Sequence, residues 1–142
     1  MSAFFENLKI LLVDDEQFIR QLVARLLRDI GVKEVMMASD GEEAVKKLGT
    51  YAGRIDLVIL DLEMPNKNGF KVVQEIRDGS VGVNPELPVV ILTGHGQQDA
   101  VKLAVDLGVH GFMVKPMSKD VLEKRIKIAL SSGPIDPSVL EK

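Results

Sequence analysis

The most constraining feature of the sequence is a short apolar run that ends in an acidic residue, Leu57–Asp61, with the letters LVILD. A continuous apolar run of this length is typical of a strand that is buried on both faces of a parallel sheet. Asp61 therefore stands at the carboxyl end of a predicted inner strand, where open parallel sheets usually bind ligands. Taken by itself, this aspartate is equally well explained as a turn or helix-capping residue.

Apolar runs of the same kind recur along the chain, and segments with helical periodicity separate them. The predicted strands cover residues 9–13, 32–38, 54–61, 88–92 and 109–114, and the predicted helices cover 17–30, 41–48, 68–77, 97–107 and 119–130. Asp40 and Ser118 stand just before the second and the last of these helices and are the predicted caps. Five strands that alternate with five helices predict an α/β fold, a doubly wound parallel sheet with helices on both faces. The lead-in before the first strand contains Phe4 and Phe5, which either dock on the domain or remain frayed.

Composition excludes several classes of function. A chain of 142 residues with 46% hydrophobic content suits one domain. The net charge of −3 provides no basic surface for direct nucleic-acid binding, and the lack of cysteine excludes disulfides and thiolate metal sites. No apolar run approaches the ~20 residues that span a bilayer, and the first ten residues lack the apolar core of a signal peptide. We therefore expect a soluble, cytoplasmic protein that does not bind membranes.

Polar residues follow four of the five predicted strands. The acidic segment 14–16 follows the first strand, Asp61 ends the third, Thr93 follows the fourth and Lys115 follows the fifth. Because the carboxyl ends of parallel strands meet at one rim, we expect these groups to converge. Each has a simpler explanation alone, since Thr93 could cap a turn and Lys115 could be a solvated strand end.

Three converging carboxylates, from Asp14, Asp15 and Asp61, need neutralisation. Near a protein surface, each pair of unit charges at roughly 4 Å repels by about 4 kcal/mol. Lys115 supplies one positive charge. A hard divalent cation is the natural second, because carboxylate and carbonyl oxygens suit Mg²⁺, and Mn²⁺ takes the same ligands. Asp15 is then a metal ligand that Asp14 assists directly or through water, and Asp61 is the candidate nucleophile of a phosphoryl-transfer site.

Four segments of the chain, ILLVDDE, DLVILDLEMPNKNG, VVILTG and GFMVKP, together resemble the receiver domain of two-component response regulators over roughly residues 8–130. The resemblance implies a flavodoxin-like (βα)5 fold with strand order 2-1-3-4-5. It implies a receiver domain over residues 1–130 and a tail or the start of a linker over residues 131–142. It also implies a phosphoryl group that a histidine kinase or histidine phosphotransfer protein donates to the aspartate after the third strand.

The resemblance assigns the site residues by position. Asp61 resembles the phosphoacceptor, and Asp14 and Asp15 resemble the acidic pair at the metal. The backbone carbonyl of Glu63 resembles a further Mg²⁺ ligand. Lys115 resembles the lysine that binds the phosphoryl oxygens.

The resemblance also implies a switch. Thr93 resembles the switch hydroxyl, Phe112 occupies the rotamer-switching aromatic position, and Pro116 resembles the cis-proline of the family. Because residue 112 is phenylalanine and not tyrosine, a step that needs a hydroxyl there is absent. Plain core packing explains Phe112 equally well. In the switch reading, Thr93 and Phe112 relay phosphorylation to the surface of the fourth helix, fifth strand and fifth helix, where a downstream protein effector binds.

Glu63 and His95 lie two residues beyond Asp61 and Thr93, respectively. Such positions line the access to the phosphoryl group in the family, so we expect them to tune dephosphorylation. Two exposed loop residues are the competing interpretation.

Two other functions share part of this pattern. An aspartyl-phosphate phosphatase would usually carry a second acid/base two residues after its nucleophile in a D-x-D pattern, where this chain has Glu63, and no cap domain is evident. A flavin or nucleotide module on the same fold would need a Ser/Thr/Gly-rich phosphate loop after the first strand. We therefore expect a signalling switch and not an enzyme, apart from its own phosphorylation and dephosphorylation. It would be a monomer or a weak phosphorylation-dependent dimer.

Overall fold

A computed structural model describes residues 3–64, 66–94 and 98–136 of the chain. The strands are β1 Lys9–Val13, β2 Glu34–Ala38, β3 Leu57–Asp61, β4 Val89–Thr93 and β5 Gly111–Val114. The helices are α1 Ala3–Glu6, α2 Gln17–Asp29, α3 Gly41–Thr50, α4 Gly69–Arg77, α5 Gln98–Asp106 and α6 Lys119–Ser131. All strand pairs are parallel and the order is β2-β1-β3-β4-β5, which confirms the predicted flavodoxin-like fold.

The predicted second and third strands are shorter in the structure than the sequence suggested. Val32 does not belong to β2, because its N–H donates to the carbonyl of Leu27 and closes α2, with Gly31 at a φ of 112°. Residues 54–56 precede β3, and the carboxylate of Asp56 accepts the backbone N–H of Lys9 at 2.9 Å. Both differences arise where the chain closes one element and enters the next.

Side-chain caps fix the starts of three helices. Asp40 and Ser118, the predicted caps of α3 and α6, accept hydrogen bonds from the N–H groups of Glu43 and Val121. Asn68, which the sequence placed inside a helix, instead caps α4 by accepting from Lys71. Across the described residues, no helix combines the length and apolarity that a membrane crossing would need.

The sheet separates two apolar layers. Alternate residues of the central strands face opposite sides, so that Val58 and Leu60 pack with α3, α4 and α5, whereas Leu57 and Ile59 pack with α2 and α6. Every residue of β3 is buried. The strand is therefore a rigid support for Asp61, its last residue.

The short helix α1 closes the layer formed by α2 and α6. Phe5 has no exposed surface, and Lys127 of α6 places its ammonium 5.7 Å from the centre of the ring. Phe4 meets Phe5 edge-on, with 5.0 Å between ring centroids, and stays 42% exposed. Of the two possibilities for the lead-in, docking is therefore the correct one, and it adds a sixth helix to the five predicted.

We expect Phe5→Ala to lower the free energy of unfolding by about 3–5 kcal/mol, because it leaves a cavity in the α2–α6 layer. Urea denaturation followed by far-UV circular dichroism measures this loss. The matched control is Phe4→Ala, which should cost at most about 1.5 kcal/mol, the upper value for an aromatic pair. Equal losses in the two variants would show that α1 is not anchored by Phe5.

Candidate functional site

The registers of the sheet bring the predicted site residues to one rim. Val13 pairs with Leu60, so Asp14 and Asp61 follow at the same level on neighbouring strands. On the other side of β3, Asp61 itself pairs with Leu92, the residue before Thr93. The convergence that the sequence predicted is therefore a direct result of parallel pairing.

Thr93, in turn, pairs with Val114, the last residue of β5. The carbonyl of Thr93 accepts the backbone N–H of Lys115 at 2.8 Å. Lys115 thus leaves β5 at the same rim, and its long side chain can turn back over the ends of β3 and β1.

Four carboxylates meet at this rim. Asp14, Asp15, Glu16 and Asp61 each offer an oxygen atom, and these atoms all lie within 4.8 Å of one another. Asp14 and Asp61 are buried, whereas Asp15 and Glu16 are exposed. The cluster therefore has an inner, desolvated half and an outer half that faces water.

Lys115 sits at the centre of the cluster. Its Nζ lies 2.8 Å from Asp14 Oδ2, 3.0 Å from Asp61 Oδ2 and 3.0 Å from Glu16 Oε1. Burial opposes the positive charge, but the attraction of the Asp14, Glu16 and Asp61 carboxylates outweighs it and raises the pKa of Lys115. The side chain is therefore an ammonium at any physiological pH.

The site favours the charged form of Lys115 but, without metal, disfavours the charged form of Asp61. Burial raises the pKa of the Asp61 carboxyl from 3.8 to about 6, although hydrogen bonds from the Glu63 N–H and from Lys115 oppose the shift. The Glu63 N–H lies 3.1 Å from Asp61 Oδ1. Asp61 is thus a carboxylate above about pH 6 and largely protonated below it.

The donor set fits a hard divalent cation. Asp14 Oδ1 accepts the backbone N–H of Glu16 at 2.8 Å, whereas the buried Oδ2 faces the Lys115 ammonium, and no donor among the described residues reaches it with hydrogen-bond geometry. One ammonium cannot neutralise four carboxylates. Carboxylate oxygens so arranged could hold Mg²⁺ or Mn²⁺, and the predicted side-chain ligands Asp14, Asp15 and Asp61 are among them.

The chain that follows Asp61 is held close to the strand end. The N–H of Gly69 donates to the carbonyl of Leu62 at 3.0 Å. A Cβ on Gly69 would lie 2.4 Å from the carbonyl oxygen of Asp61, so no larger residue fits there without moving the backbone. Glu63, between these contacts, is exposed and presents its N–H to Asp61.

The predicted switch residues Thr93 and Phe112 lie on the neighbouring strands β4 and β5. Thr93 is half-buried at the end of β4, and Phe112 is half-buried in β5, opposite Ile91, where it packs against the layer that contains α5. The Lys115–Pro116 peptide bond is cis. His95 lies outside the described residues. The switching roles of Thr93 and Phe112 remain predictions.

Sequence reasoning gave no separate role to two contributors to the site. Glu16, next to the acidic pair, binds Lys115, and Arg20, in the first turn of α2, donates to the carbonyl of Asp14 at 2.6 Å. The only signal for Glu16 was its place in the same acidic segment. Arg20 had none, since its partner is a backbone oxygen.

The chain matches the sequence profile of the response regulator receiver domain over residues 10–127. It belongs to the receiver domain family. Receiver domains act as phosphoacceptor signalling switches and not as metabolic enzymes, and they bind Mg²⁺ at an acidic pocket.

Proteins similar to this chain include chemotaxis and transcriptional regulators. The chain is 33% identical over 121 residues to the chemotaxis protein CheY of Pseudomonas aeruginosa, covering 84% of this chain and 94% of that one. It is 36% identical over 123 residues to the transcriptional regulatory protein PdtaR of Mycobacterium tuberculosis, covering 87% of this chain. The match spans only 57% of the length of PdtaR.

Solved receiver structures superpose closely on the fold. A receiver domain protein of Clostridium thermocellum gives a TM-score of 0.78 at 35% identity, covering 87% of this chain and 94% of that one. A CheX–CheY complex with BeF3 and Mg²⁺ from Borrelia burgdorferi gives a TM-score of 0.75 at 28% identity, covering 84% and 86%. The family and the fold are therefore established together.

The raised pKa of Asp61 predicts a stability that depends on pH. The folded protein holds this proton more tightly than the unfolded chain, so protonation stabilises the fold fully below about pH 4, and the contribution is lost as the pH rises through about 6. Asp61→Asn has no carboxylate to desolvate. We expect it to be more stable than the wild-type protein at about pH 8 without metal, by on the order of 2 kcal/mol.

Urea denaturation with a chelator present, at about pH 8 and below about pH 4, tests this expectation, and the advantage of the variant should shrink at the lower pH. Lys115 keeps Asp14 and Glu16 as partners in the variant, so its charge is not left uncompensated. Asp56→Asn, an exposed change just before the same strand, is the matched control. A variant less stable than wild type at pH 8 would contradict the assignment.

Proposed function

We propose that this receiver domain is a two-component switch in which Asp61 accepts a phosphoryl group from a histidine kinase or a histidine phosphotransfer protein. The observation that carries the proposal is the position of the Asp61 carboxylate, buried at the rim within 3.0 Å of the Lys115 ammonium and beside three further carboxylates. A buried carboxylate that pairs with a cation in an acidic cluster is suited to phosphoryl transfer.

In the proposed reaction, an oxygen of Asp61 attacks the phosphorus of a phosphohistidine, the P–N bond breaks and the neutral imidazole leaves after taking up a proton. The carboxylate form is required, and Mg²⁺ bound to Asp61 would favour it against the burial that raises the pKa of this carboxyl. Mg²⁺, held by Asp14, Asp15, Asp61 and the carbonyl of Glu63, would neutralise charge on the phosphoryl oxygens. Lys115 is already within hydrogen-bond distance of Asp61 and would bind one of those oxygens.

The output of the proposed switch is a change in protein binding. Phosphorylation replaces the single charge of the Asp61 carboxylate by up to about two negative charges on the phosphoryl oxygens, which draw in the Thr93 hydroxyl and the Lys115 ammonium. The inward shift of Thr93 leaves space for Phe112 to turn, which biases a two-state equilibrium of the α5–β5–α6 surface. Exposed apolar residues on this surface support a protein effector as the partner: Leu103, Val114 and Val121.

The domain boundary at residue 130 belongs to the same proposal. Helix α6 ends at Ser131, which agrees with the boundary, and residues beyond it would form a tail or a linker. The beginning of this segment lies on the domain, since the N–H of Ile135 donates to the carbonyl of Val109 at 3.0 Å.

Incubation with Mg²⁺ and acetyl phosphate or phosphoramidate, followed by intact mass measurement, tests the function. We expect the wild-type protein to gain the mass of one phosphoryl group, and Asp61→Asn or a chelator to abolish the gain. Asp56→Asn is the control that should keep it. An adduct that persists in Asp61→Asn would refute the assignment, whereas rapid turnover of phosphate esters would favour a phosphatase and a bound chromophore a flavin module.

We further propose that Glu63 and His95 set the lifetime of the phosphoryl group. Glu63 is exposed, and its N–H contacts the Asp61 carboxylate, which supports its placement on the path of an attacking water. The double variant Glu63→Ala/His95→Ala should change the first-order rate of phosphoryl loss. Glu86→Ala, in the exposed loop before β4, is the control. If both variants lose phosphate at the wild-type rate, the two residues are ordinary loop positions.

A further inference from the structure

Helix α3 is joined to the loop that carries Glu63 through one side chain. Asp40, the residue before α3, uses its two carboxylate oxygens separately: Oδ1 accepts the N–H of Glu43 at 2.8 Å, and Oδ2 accepts the side-chain amide of Asn66 at 3.0 Å. Both hydrogen bonds lower the pKa of Asp40, the first more than the second, so it is ionised. The second bond links residues that lie 26 positions apart.

The backbones at this junction are also in direct contact. A Cβ on Gly41, the first residue of α3, would lie 1.9 Å from the carbonyl oxygen of Lys67. Only glycine fits such an approach. Asn66 adopts a left-handed φ of 67°, which asparagine tolerates better than most residues. The part of the loop around residues 66 and 67 is thus fixed against α3 by shape as well as by the Asp40–Asn66 hydrogen bond.

The end of this loop that leads into α4 is fixed by contacts with that helix. Lys67 pairs with Glu75 of α4, its Nζ lying 2.7 Å and 2.8 Å from the two carboxylate oxygens, and Asn68 caps the same helix. Glu63 lies between this anchored part and the end of β3, and its N–H holds Asp61 Oδ1. A displacement of Asn66 would therefore shift Glu63 and change the hydrogen bond that its N–H donates to Asp61.

We propose that Asp40 is a positioning residue for the Mg²⁺ site: through Asn66, it holds the loop after β3 in the conformation in which the Glu63 carbonyl and the Asp61 carboxylate bind the ion together. This inference rests on the proposed function. Asp40 is not a ligand and acts only through the loop. Partners that orient metal ligands typically change affinity by 10–100-fold when removed.

A role as a helix cap alone makes a different prediction. Serine caps a helix about as well as aspartate does, but it has one short oxygen and cannot also hold Asn66. Asp40→Ser therefore keeps the cap and breaks the link. Asn66→Gly breaks the same link from the other side, keeps the left-handed backbone accessible and changes no charge.

The test is the Mg²⁺ dissociation constant, obtained from the Mg²⁺ dependence of the thermal unfolding midpoint at about pH 8. We expect Asp40→Ser and Asn66→Gly each to weaken Mg²⁺ binding by about tenfold. The double variant should lose no more than either single variant, because both remove one shared interaction. Asn84→Gly, in the exposed α4–β4 loop at the opposite edge of the sheet, is the matched control and should bind Mg²⁺ as wild type does.

The inference is overturned if both single variants bind Mg²⁺ with wild-type affinity. It is also overturned if the losses of Mg²⁺ affinity multiply in the double variant, or if Asn84→Gly loses as much affinity as the other variants. The unfolding midpoint without Mg²⁺ separates a general loss of stability from a loss of metal affinity. If the wild-type protein gains no stability from Mg²⁺, the proposed metal site fails and this inference fails with it. If the wild-type protein binds Mg²⁺ and the variants match it, only the inference fails.

Discussion

The structure of the site depends on one buried ammonium among acidic groups. The Lys115 side chain is 7% exposed, and its Nζ lies within 3.0 Å of three carboxylates, those of Asp14 and Glu16 just after β1 and that of Asp61 at the end of β3. Without it, the buried carboxylates of Asp14 and Asp61 would face each other with no positive charge between them, a costly arrangement in a desolvated site. The same need for positive charge makes the site receptive to a metal ion, because one lysine leaves the cluster negative.

This arrangement follows from the parallel sheet. Because the parallel strands pair in register, Asp14, Asp61, Thr93 and Lys115 lie at one rim of the sheet although most of them are far apart in the sequence. The buried strand β3 then fixes the position of Asp61 from both faces. The position of the reactive groups at the rim is thus a consequence of strand pairing and of packing in the core.

The sequence predicted those parts of the molecule that depend on local patterns. The five strands, the caps at Asp40 and Ser118 and the convergence at the rim could be predicted, because apolar runs and cap residues act within a few positions. Side-chain contacts between distant segments that follow from neither a local pattern nor the order of the strands could not be predicted. Helix α1 depends on the burial of Phe5 against α6, and Glu16 joins the site through Lys115, 99 positions away. The periodicity of apolar residues along the sequence does not indicate such pairs.

The docked helix α1 has a practical consequence. Phe5 is enclosed between α2 and α6, whereas the neighbouring Phe4 is partly exposed. A bulky probe can therefore be attached at residue 4 but not at residue 5. A fluorophore or spin label at residue 4 would be attached to a helix that is packed on the α2–α6 layer. Such a probe would report the position of α6 from outside the acidic rim, leaving the chemistry there untouched.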